Sequence, residues 1–98
     1  MTDKPHYHGH RERFRGRFRL AGAVAVSDYE LLELVQFRAI PQRDVKPLAK
    51  DLIARFGSFP EVIAAPPARL AEIKGIGDAA ITELKLVHAA ASRLAHGQ

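Results

Sequence analysis

The sequence has no cysteine and no long apolar run, and both absences exclude whole classes of protein. A chain without cysteine forms neither disulfides nor thiolate sites, which suits the cytoplasm. Its apolar runs stay far below the roughly 18 residues that cross a bilayer as a helix. The polar, basic N-terminus lacks the apolar segment of a secretion signal. We therefore expect a cytoplasmic protein that makes no membrane contact.

Signatures of catalysis are absent as well. The sequence has no Gly-x-Ser-x-Gly elbow, no Walker phosphate loop and no His-Glu-x-x-His zinc motif. Ser27 and Ser58 stand where helix N-caps are expected, and Ser92 falls on the last predicted helix. No two carboxylates can be placed at a working distance from each other. We predict that this chain is not an enzyme and uses no cofactor.

Positive charge is concentrated at the N-terminus. The 98-residue chain carries a net charge of +4. Residues 1–19 hold six basic and two acidic side chains, and the remaining nine basic residues are matched by nine acidic ones. A basic segment beside a neutral one is typical of polyanion binding, but a solvated and partly disordered tail has the same composition. Composition alone leaves both interpretations open.

Two segments are predicted ahead of residue 27. Residues 1–9 are expected to form a flexible tail that contains histidines. Residues 10–26 are expected to form a basic helix followed by a linker. Phe14 and Phe18 lie four residues apart, so they share one face of this helix and form its inward stripe.

Alternating histidines in this region raise the question of a metal site. His6, His8 and His10 would lie on one side of an extended segment. Gly9 between them, and the lack of an acidic or cysteine partner, argue against a built site. We therefore predict no metal ligand here.

Residues 27–96 are predicted to be helical, because no segment has the alternation of a strand. Ser27 and Glu30 form a predicted capping box ahead of a helix that is apolar on most sides, so we expect that helix at the centre of the core. Asp44 is the predicted N-cap of the following amphipathic helix, and Gly57 is its predicted C-cap.

The C-terminal half is predicted to contain three further helices. Ser58 and Glu61 form a second capping box ahead of a short helix. Two prolines, at 66 and 67, end that helix and start the next one. The last helix is expected from about Asp78 to about Ala95. Its inward positions are predicted at heptad-like spacing: Ala80, Leu84, Val87, Ala91 and Leu94.

A Gly75-Ile76-Gly77 turn joins two helical patterns between Leu70 and Leu84. Gly75 supplies the positive φ that ends a helix at Lys74, Gly77 opens the next helix, and Ile76 is expected to plug the gap between them. The pattern resembles the helix-hairpin-helix motif of DNA repair and replication proteins. In that motif the amides of the turn hold a phosphate at the positive end of a helix. The alternative is an ordinary helical hairpin without a ligand.

The chain also contains a hidden repeat. Residues 31–56 can be laid over residues 70–94, and residues 39–43 then fall where the glycine-containing turn falls. We therefore predict an all-α fold, a tandem helix-hairpin-helix bundle of about five helices plus the N-terminal basic helix, in which the first hairpin is degenerate. Similar tandem domains occur in structure-specific nucleases and DNA ligases. Two such hairpins bind both strands by shape and charge rather than by base identity.

The predicted phosphate contacts are shared between the two turns. Asp78 follows the glycines where the motif usually has a basic residue or proline, and Ile81 occupies its usual small position. Cations instead crowd the start of the helix in the other half. The predicted DNA-binding residues are Lys74, Gly75, Ile76, Gly77, Arg38, Arg43, Lys46, Lys50, Arg11, Arg13 and Arg15. The alternative for the basic residues is a solvated helix face.

Four sequence motifs together resemble the N-terminal region of the RadC family. They are His6-Tyr-His-Gly-His-Arg-Glu-Arg, Asp28-Tyr-Glu-Leu-Leu-Glu-Leu, Arg43-Asp-Val-Lys-Pro-Leu-Ala-Lys and Ile73-Lys-Gly-Ile-Gly. The resemblance implies a role in DNA repair. RadC proteins carry this helical region ahead of a JAB/MPN-type domain with a zinc metalloprotease-like signature. These 98 residues lack that signature, so the resemblance transfers neither its metal nor its catalysis.

Two functions are therefore expected from the sequence. The first is a non-sequence-specific DNA-binding module that holds phosphates through hairpin amides and basic side chains. The second is a protein-interaction or dimerisation domain that positions or regulates a partner catalytic domain, such as a C-terminal JAB/MPN-type domain.

Overall fold

The computed structural model describes residues 6–41 and 43–97, and this part of the chain contains helices and turns but no strand. The predicted all-α bundle with a basic N-terminal helix is confirmed. A single turn of 3₁₀ helix, Ala23–Ala25, follows the first helix. The α-helices are α1 (His6–Ala21), α2 (Asp28–Ala39), α3 (Lys46–Phe56), α4 (Phe59–Ala64), α5 (Pro67–Leu70) and α6 (Asp78–Ala95).

Helix α2 lies at the centre of the bundle, as predicted. It contacts α1, α3, α4 and α6. Its Leu32 and Phe37 side chains are buried with apolar residues of the surrounding helices. The same helix also buries Glu33 and Gln36, which its apolar pattern did not predict. Neither amide atom of the Gln36 side chain has a hydrogen-bond partner in the described part of the chain.

The first predicted capping box is confirmed, and the second forms only one of its two predicted hydrogen bonds. The Glu30 N–H donates to Ser27 Oγ at 3.2 Å, and the Ser27 N–H donates to Glu30 Oε1 at 3.1 Å. At the start of α4 the Glu61 N–H donates to Ser58 Oγ at 3.4 Å. The Glu61 carboxylate, however, accepts from the Ser58 hydroxyl at 3.1 Å, so its predicted bond to the Ser58 backbone is replaced.

Helix α3 begins one residue later than predicted. Val45, rather than Asp44, is the N-cap, and the Val45 side chain is buried. Asp44 Oδ1 still accepts from the Lys46 N–H at 3.0 Å, so the carboxylate satisfies an amide of the first turn from one position further out. Gly57 ends the helix with a φ of 111°, as predicted.

Helix α1 begins at His6, four residues earlier than predicted. The predicted tail is therefore helical from His6, and its first five residues lie outside the described part of the chain. Phe14 is 5% exposed and belongs to the core, whereas Phe18 is only half-buried. Because α1 packs directly on α2, the basic segment is a structural layer of the bundle rather than a separate arm.

The helix predicted to reach Lys74 ends as a regular α-helix at Leu70. Beyond it the Ile73 N–H donates to the Leu70 carbonyl at 3.0 Å, three residues back, so the chain tightens into turns. Gly75 has the predicted positive φ, 92°. Gly77 is the N-cap of α6, and Ile76 between the two glycines is half-buried against the core, as predicted.

Only the first half of α6 is packed as predicted. Ala80 and Leu84 are buried, and Val87 is half-buried against the core. Ala91 is exposed and Leu94 is 85% exposed, so the predicted stripe is wrong beyond Val87. The second half of α6 extends past the helices that cover its beginning. In the described ranges no helix combines the length and apolar character needed to cross a membrane.

Candidate nucleic-acid interface

The two predicted phosphate-binding turns are joined by a side chain. The first turn, predicted at residues 39–43, comprises residues 40–45 in the structure, of which Gln42 lies outside the description, and the glycine turn comprises residues 75–77. Arg43 Nη2 in the first turn donates to the Gly75 carbonyl. A Cβ atom at Gly75 would lie 3.3 Å from the same nitrogen. The glycine turn therefore has a guanidinium beside it, although none follows it in the sequence.

Arg11 supports this junction from within the fold. Its Nη2 donates to the Arg43 carbonyl and its Nη1 donates to the Phe37 carbonyl at 3.3 Å. Its guanidinium carbon lies 4.7 Å from the centre of the Phe37 ring. Arg11 is 4% exposed, so it does not lie on the surface where a phosphate contact was expected. Carbonyl oxygens and an aromatic face compensate the buried cation, which explains its inward position.

Other arginines of α1 also pack on aromatic rings. The guanidinium carbon of Arg15 lies 5.4 Å from the Phe37 ring centre, and its Nη1 is 3.0 Å from Glu12 Oε1. The Arg17 guanidinium lies 4.8 Å from the Phe14 ring centre and donates to Glu30 Oε2 at 2.9 Å. Two of the three α1 arginines predicted to contact DNA, Arg11 and Arg15, thus pack on α2, as does Arg17, which was not predicted to bind DNA.

A cleft lies where α1, α2 and α3 meet, with a volume of about 560 Å³. Arg13 of α1 and Lys46 and Lys50 of α3 line it from opposite sides. All three are exposed, and within the described residues their side chains form no ion pair. The cleft therefore brings together three of the predicted contacts, which are 4 to 37 residues apart in the sequence.

Two polar groups that line this cleft have no hydrogen-bond partner among the described residues. Glu33 is 3% exposed and its Oε2 is unpaired. Burial raises the pKa of Glu33 above its ordinary value, against the opposing effect of Lys46. His10 Nε2 is also buried and unpaired. Burial, followed by the nearby charges of Lys46 and Arg13, lowers the pKa of His10.

Sequence reasoning missed both of these inward groups. Glu33 lies four residues after Tyr29 and four before Phe37, so the three share one face of α2. An acid between two aromatic residues on a helix face was therefore the available signal. The sequence raised His10 only as a possible metal ligand, together with His6 and His8.

The start of α6 is open to an incoming anion. Gly77 has φ −115° and ψ −178°, and a Cβ atom there would meet nothing within 4 Å. Because the N-cap of α6 is Gly77, no side chain at this position accepts a hydrogen bond from the first amides of the helix. Lys74 is exposed just before the glycine turn, and Arg38 is exposed in the last turn of α2.

The histidine pattern at the N-terminus is not tested as a metal site. Within residues 6–41 and 43–97, no three histidine, aspartate or glutamate side chains group together as metal ligands. The side chains of His6 and His8 lie outside the described part of the chain.

Curated relatives of this chain carry the name UPF0758, which denotes the RadC family. A UPF0758 protein of Ruegeria pomeroyi is 56% identical over 89 residues, which cover 91% of this chain and 40% of the relative. A UPF0758 protein of Rhodobacter capsulatus is 60% identical over 84 residues, which cover 86% of this chain and 39% of the relative. The similarity supports the resemblance to RadC that the motifs indicated.

The chain thus spans about 40% of the length of the curated relatives it matches. No model of a known protein family matches it, and no solved structure matches it either.

Proposed function

We propose that this chain is a non-sequence-specific DNA-binding module of a RadC-like DNA repair protein, built as a tandem helix-hairpin-helix domain. The observation that carries the proposal is the hydrogen bond from Arg43 to the Gly75 carbonyl, because it brings a cation to the glycine turn. Helices α2 and α3 form the degenerate hairpin, and α5 and α6 form the second one. The module acts in the cytoplasm and catalyses no reaction of its own.

Each turn supplies a different kind of phosphate contact in this proposal. At the glycine turn, the open amides at the start of α6 and the positive end of its dipole attract the anion. Arg43 and Lys74 add cations there. Beside the first turn, Lys46, Lys50 and Arg13 form a separate cationic surface at the cleft. Contacts of this kind fix the module on the DNA backbone and do not discriminate bases.

A salt titration tests the proposal most directly. Fluorescence anisotropy with single- and double-stranded oligonucleotides should show binding that weakens steeply with salt. Log K should fall against log salt by about 0.9 per neutralised phosphate on duplex DNA and about 0.7 on a single strand. A dissociation constant that stays constant between low and moderate salt would contradict the proposal. Lys46→Gln and Lys50→Gln should each lower the slope by about 1 on duplex DNA.

Gly77→Val tests the proposed phosphate contact at the glycine turn and is expected to leave the fold intact. The backbone at Gly77 is in a conformation open to any residue, and a Cβ atom there has no neighbour within 4 Å. The added methyl groups should keep a phosphate from the amides of α6 and weaken DNA binding about tenfold, since a hydrogen bond to a charged group is worth roughly 1.5–3 kcal/mol.

Ala95→Val is the matched control, because Ala95 is exposed at the opposite end of α6, about 25 Å away at 1.5 Å per residue. Thermal melting of both variants shows whether the fold is kept. If Gly77→Val remains folded and binds DNA as tightly as the control, the glycine turn is not a phosphate site.

The second candidate function is a protein-interaction domain, and the exposed leucines of α6 favour it. Leu86 is 60% exposed in the middle of α6, and Leu94 is 85% exposed on the part of α6 that extends beyond the bundle. Such residues are typical of surfaces that pack on a partner. Light scattering of the wild type and of Leu86→Gln with Leu94→Gln distinguishes self-association from a monomer. A JAB/MPN-type domain, supplied as a separate chain, is the other partner to test.

A further inference from the structure

The cleft between α1, α2 and α3 contains features that backbone phosphate contacts do not require. Three cations, Arg13, Lys46 and Lys50, line it, and none of them forms an ion pair with another described residue. Further in lies a carboxyl group, Glu33, that is 97% buried and has an oxygen without a partner. A site for a bare phosphate has no use for a buried carboxyl group, because an anion is repelled by its charged form.

The arrangement of charge suggests a ligand with two unlike ends. Lys46 and Lys50 lie one helical turn apart on α3, and Arg13 faces them from α1, so an anionic group is favoured between them. The neighbouring Arg17 is already paired with Glu30 at 2.9 Å and contributes less. An anionic group would therefore be held by these exposed side chains, whereas Glu33 is buried in the cleft.

The inner part of the cleft suits a flat, polar and uncharged group. Tyr29 and His10 present rings to it, and His10 Nε2 is buried without a partner. An aromatic wall favours stacking of a planar ring. Unpaired buried groups are costly, so a ligand that donates to Glu33 and pairs with His10 recovers that cost. The volume of about 560 Å³ lies within the range of small-molecule sites.

We propose that this cleft binds a nucleoside phosphate, with the phosphate on Arg13, Lys46 and Lys50, the base against Tyr29, and an amino group of the base donating to Glu33. The source of the ligand is either an unpaired nucleotide at a DNA strand end or a free nucleotide. The first source rests on the proposed function, whereas the second is independent of it.

The DNA arm of the test compares a blunt duplex with the same duplex carrying one unpaired adenine at each end. We expect about tenfold tighter binding of the second duplex, as stacking and pairing of one base allow. Glu33→Leu should remove this advantage while leaving the blunt duplex unaffected, since leucine deletes the acceptor and suits a buried position. Lys50→Gln, at an exposed position, should weaken both complexes.

The second arm measures free dAMP, dTMP and inorganic phosphate by isothermal titration calorimetry. We expect dAMP to bind about tenfold more tightly than inorganic phosphate, and more tightly than dTMP, which has no exocyclic amino group. Glu33→Leu should abolish the difference between dAMP and dTMP. Arg93→Gln, an exposed cation near the end of α6, is the control for an unspecific loss of charge.

The outcomes separate this inference from the proposed function. If the blunt duplex does not bind but dAMP binds through Glu33, the DNA-binding proposal fails and the cleft is a site for free nucleotides. If the blunt duplex binds but neither the unpaired adenine nor dAMP gains over its control, the cleft proposal is overturned and the DNA-binding proposal stands. Equal binding of dAMP and inorganic phosphate also overturns it, because the base then contributes nothing.

Discussion

Arginines of similar sequence context have different roles in this protein. Arg11 is buried and donates to two backbone carbonyls, whereas Arg13, two residues later, is exposed at the cleft. The difference follows from the helix, because residues two apart point to nearly opposite faces. Arg43 is exposed yet also has a structural partner, the Gly75 carbonyl. A count of cations therefore overstates the charge available to a ligand.

Arg43→Lys should separate the contribution of charge from that of geometry. Lysine keeps the charge but lacks the planar donor array of the guanidinium. We expect a loss of about 0.5–1.5 kcal/mol in the free energy of unfolding, the net value of an ordinary hydrogen bond. Urea unfolding followed by circular dichroism measures it. Arg38→Lys, at an exposed position in α2, is the control and should leave the stability unchanged.

Glu33 should make the stability depend on pH in a direction opposite to that of most carboxylates. Burial raises the pKa of Glu33 in the folded protein above its ordinary value of 4.5. The folded state then holds a proton that the unfolded state has lost, so the free energy of unfolding decreases as pH rises from 4.5 through the raised pKa. Glu33→Gln should gain stability relative to wild type across this window.

The measurement is urea unfolding of both proteins at several pH values above and below 4.5. The difference between them isolates Glu33, because His10 and Glu30 titrate in both proteins. The lowered pKa values of His10 and Glu30 make the free energy of unfolding increase with pH, the opposite of the effect of Glu33, since acid removes the stability they contribute. Asp51→Asn, on the exposed face of α3, is the control. A constant difference between Glu33→Gln and wild type would show that Glu33 does not titrate in this range.

At the scale of the elements, local signals predicted the Ser27 capping box and the Gly57 C-cap, whereas they missed the start of α1 and the contacts between helices. The Ser27 box and the Gly57 C-cap depend on residues within a few positions, so the sequence contains them. Lys85 donates to the Ile63 and Ala65 carbonyls at 2.7 and 2.9 Å, and thereby satisfies the end of α4 from α6. No local pattern shows such a contact across about twenty residues.

At the candidate site, too, features set by neighbouring residues were predictable, and contacts between distant residues were not. The Gly75 and Gly77 backbone was predictable, because positive φ and a helix start have local signatures. The burial of Arg11 was not, because it depends on the Phe37 ring and on carbonyls 26 and 32 residues away. The end of α5 at Leu70 was also missed, since the pattern of apolar residues alone does not distinguish a helix from successive tight turns.

Asp28→Ala tests one such contact between elements. Asp28 Oδ2 accepts from the Phe59 N–H at 3.0 Å, so a carboxylate of α2 caps the first turn of α4. Its removal should lower the free energy of unfolding by about 0.5–2 kcal/mol, as the loss of an N-cap does. Chemical denaturation measures the loss. Asp51→Ala removes an exposed acid of α3 as the control, and an equal loss in both variants would argue against the cap.

At the scale of the whole molecule, the basic N-terminal helix is an integral layer of the bundle. Phe14 is 5% exposed, and its ring meets Phe37 edge-on with centres 5.7 Å apart. The guanidiniums of Arg11 and Arg15 lie over the same Phe37 ring. Of the two interpretations that composition left open, the partly disordered tail is therefore wrong for the described part of α1, and the polyanion-binding segment stays a prediction.

Deletion of residues 1–21 should destabilise the remaining bundle rather than simply remove charge. The deletion exposes Phe37 and the carbonyls that Arg11 satisfies. It also removes Phe14, and loss of a buried phenylalanine alone typically costs about 3–5 kcal/mol of stability. Thermal unfolding by circular dichroism should show a much lower midpoint than that of the full chain. A truncated protein that melts at the temperature of the full chain would mean that α1 is dispensable. DNA-binding experiments should therefore use charge substitutions on α1 in place of its deletion.

The succession of bonds from Arg11 to the Arg43 carbonyl, and from the Arg43 guanidinium to the Gly75 carbonyl, has a thermodynamic consequence. It connects the docking of α1 with the shape of a turn more than sixty residues along the chain. If an anion bound at the glycine turn favours this arrangement, docked α1 must favour the anion by the same free energy. A substitution inside the α1 packing would then alter DNA affinity without touching DNA, and bound DNA would slow amide hydrogen exchange in α1.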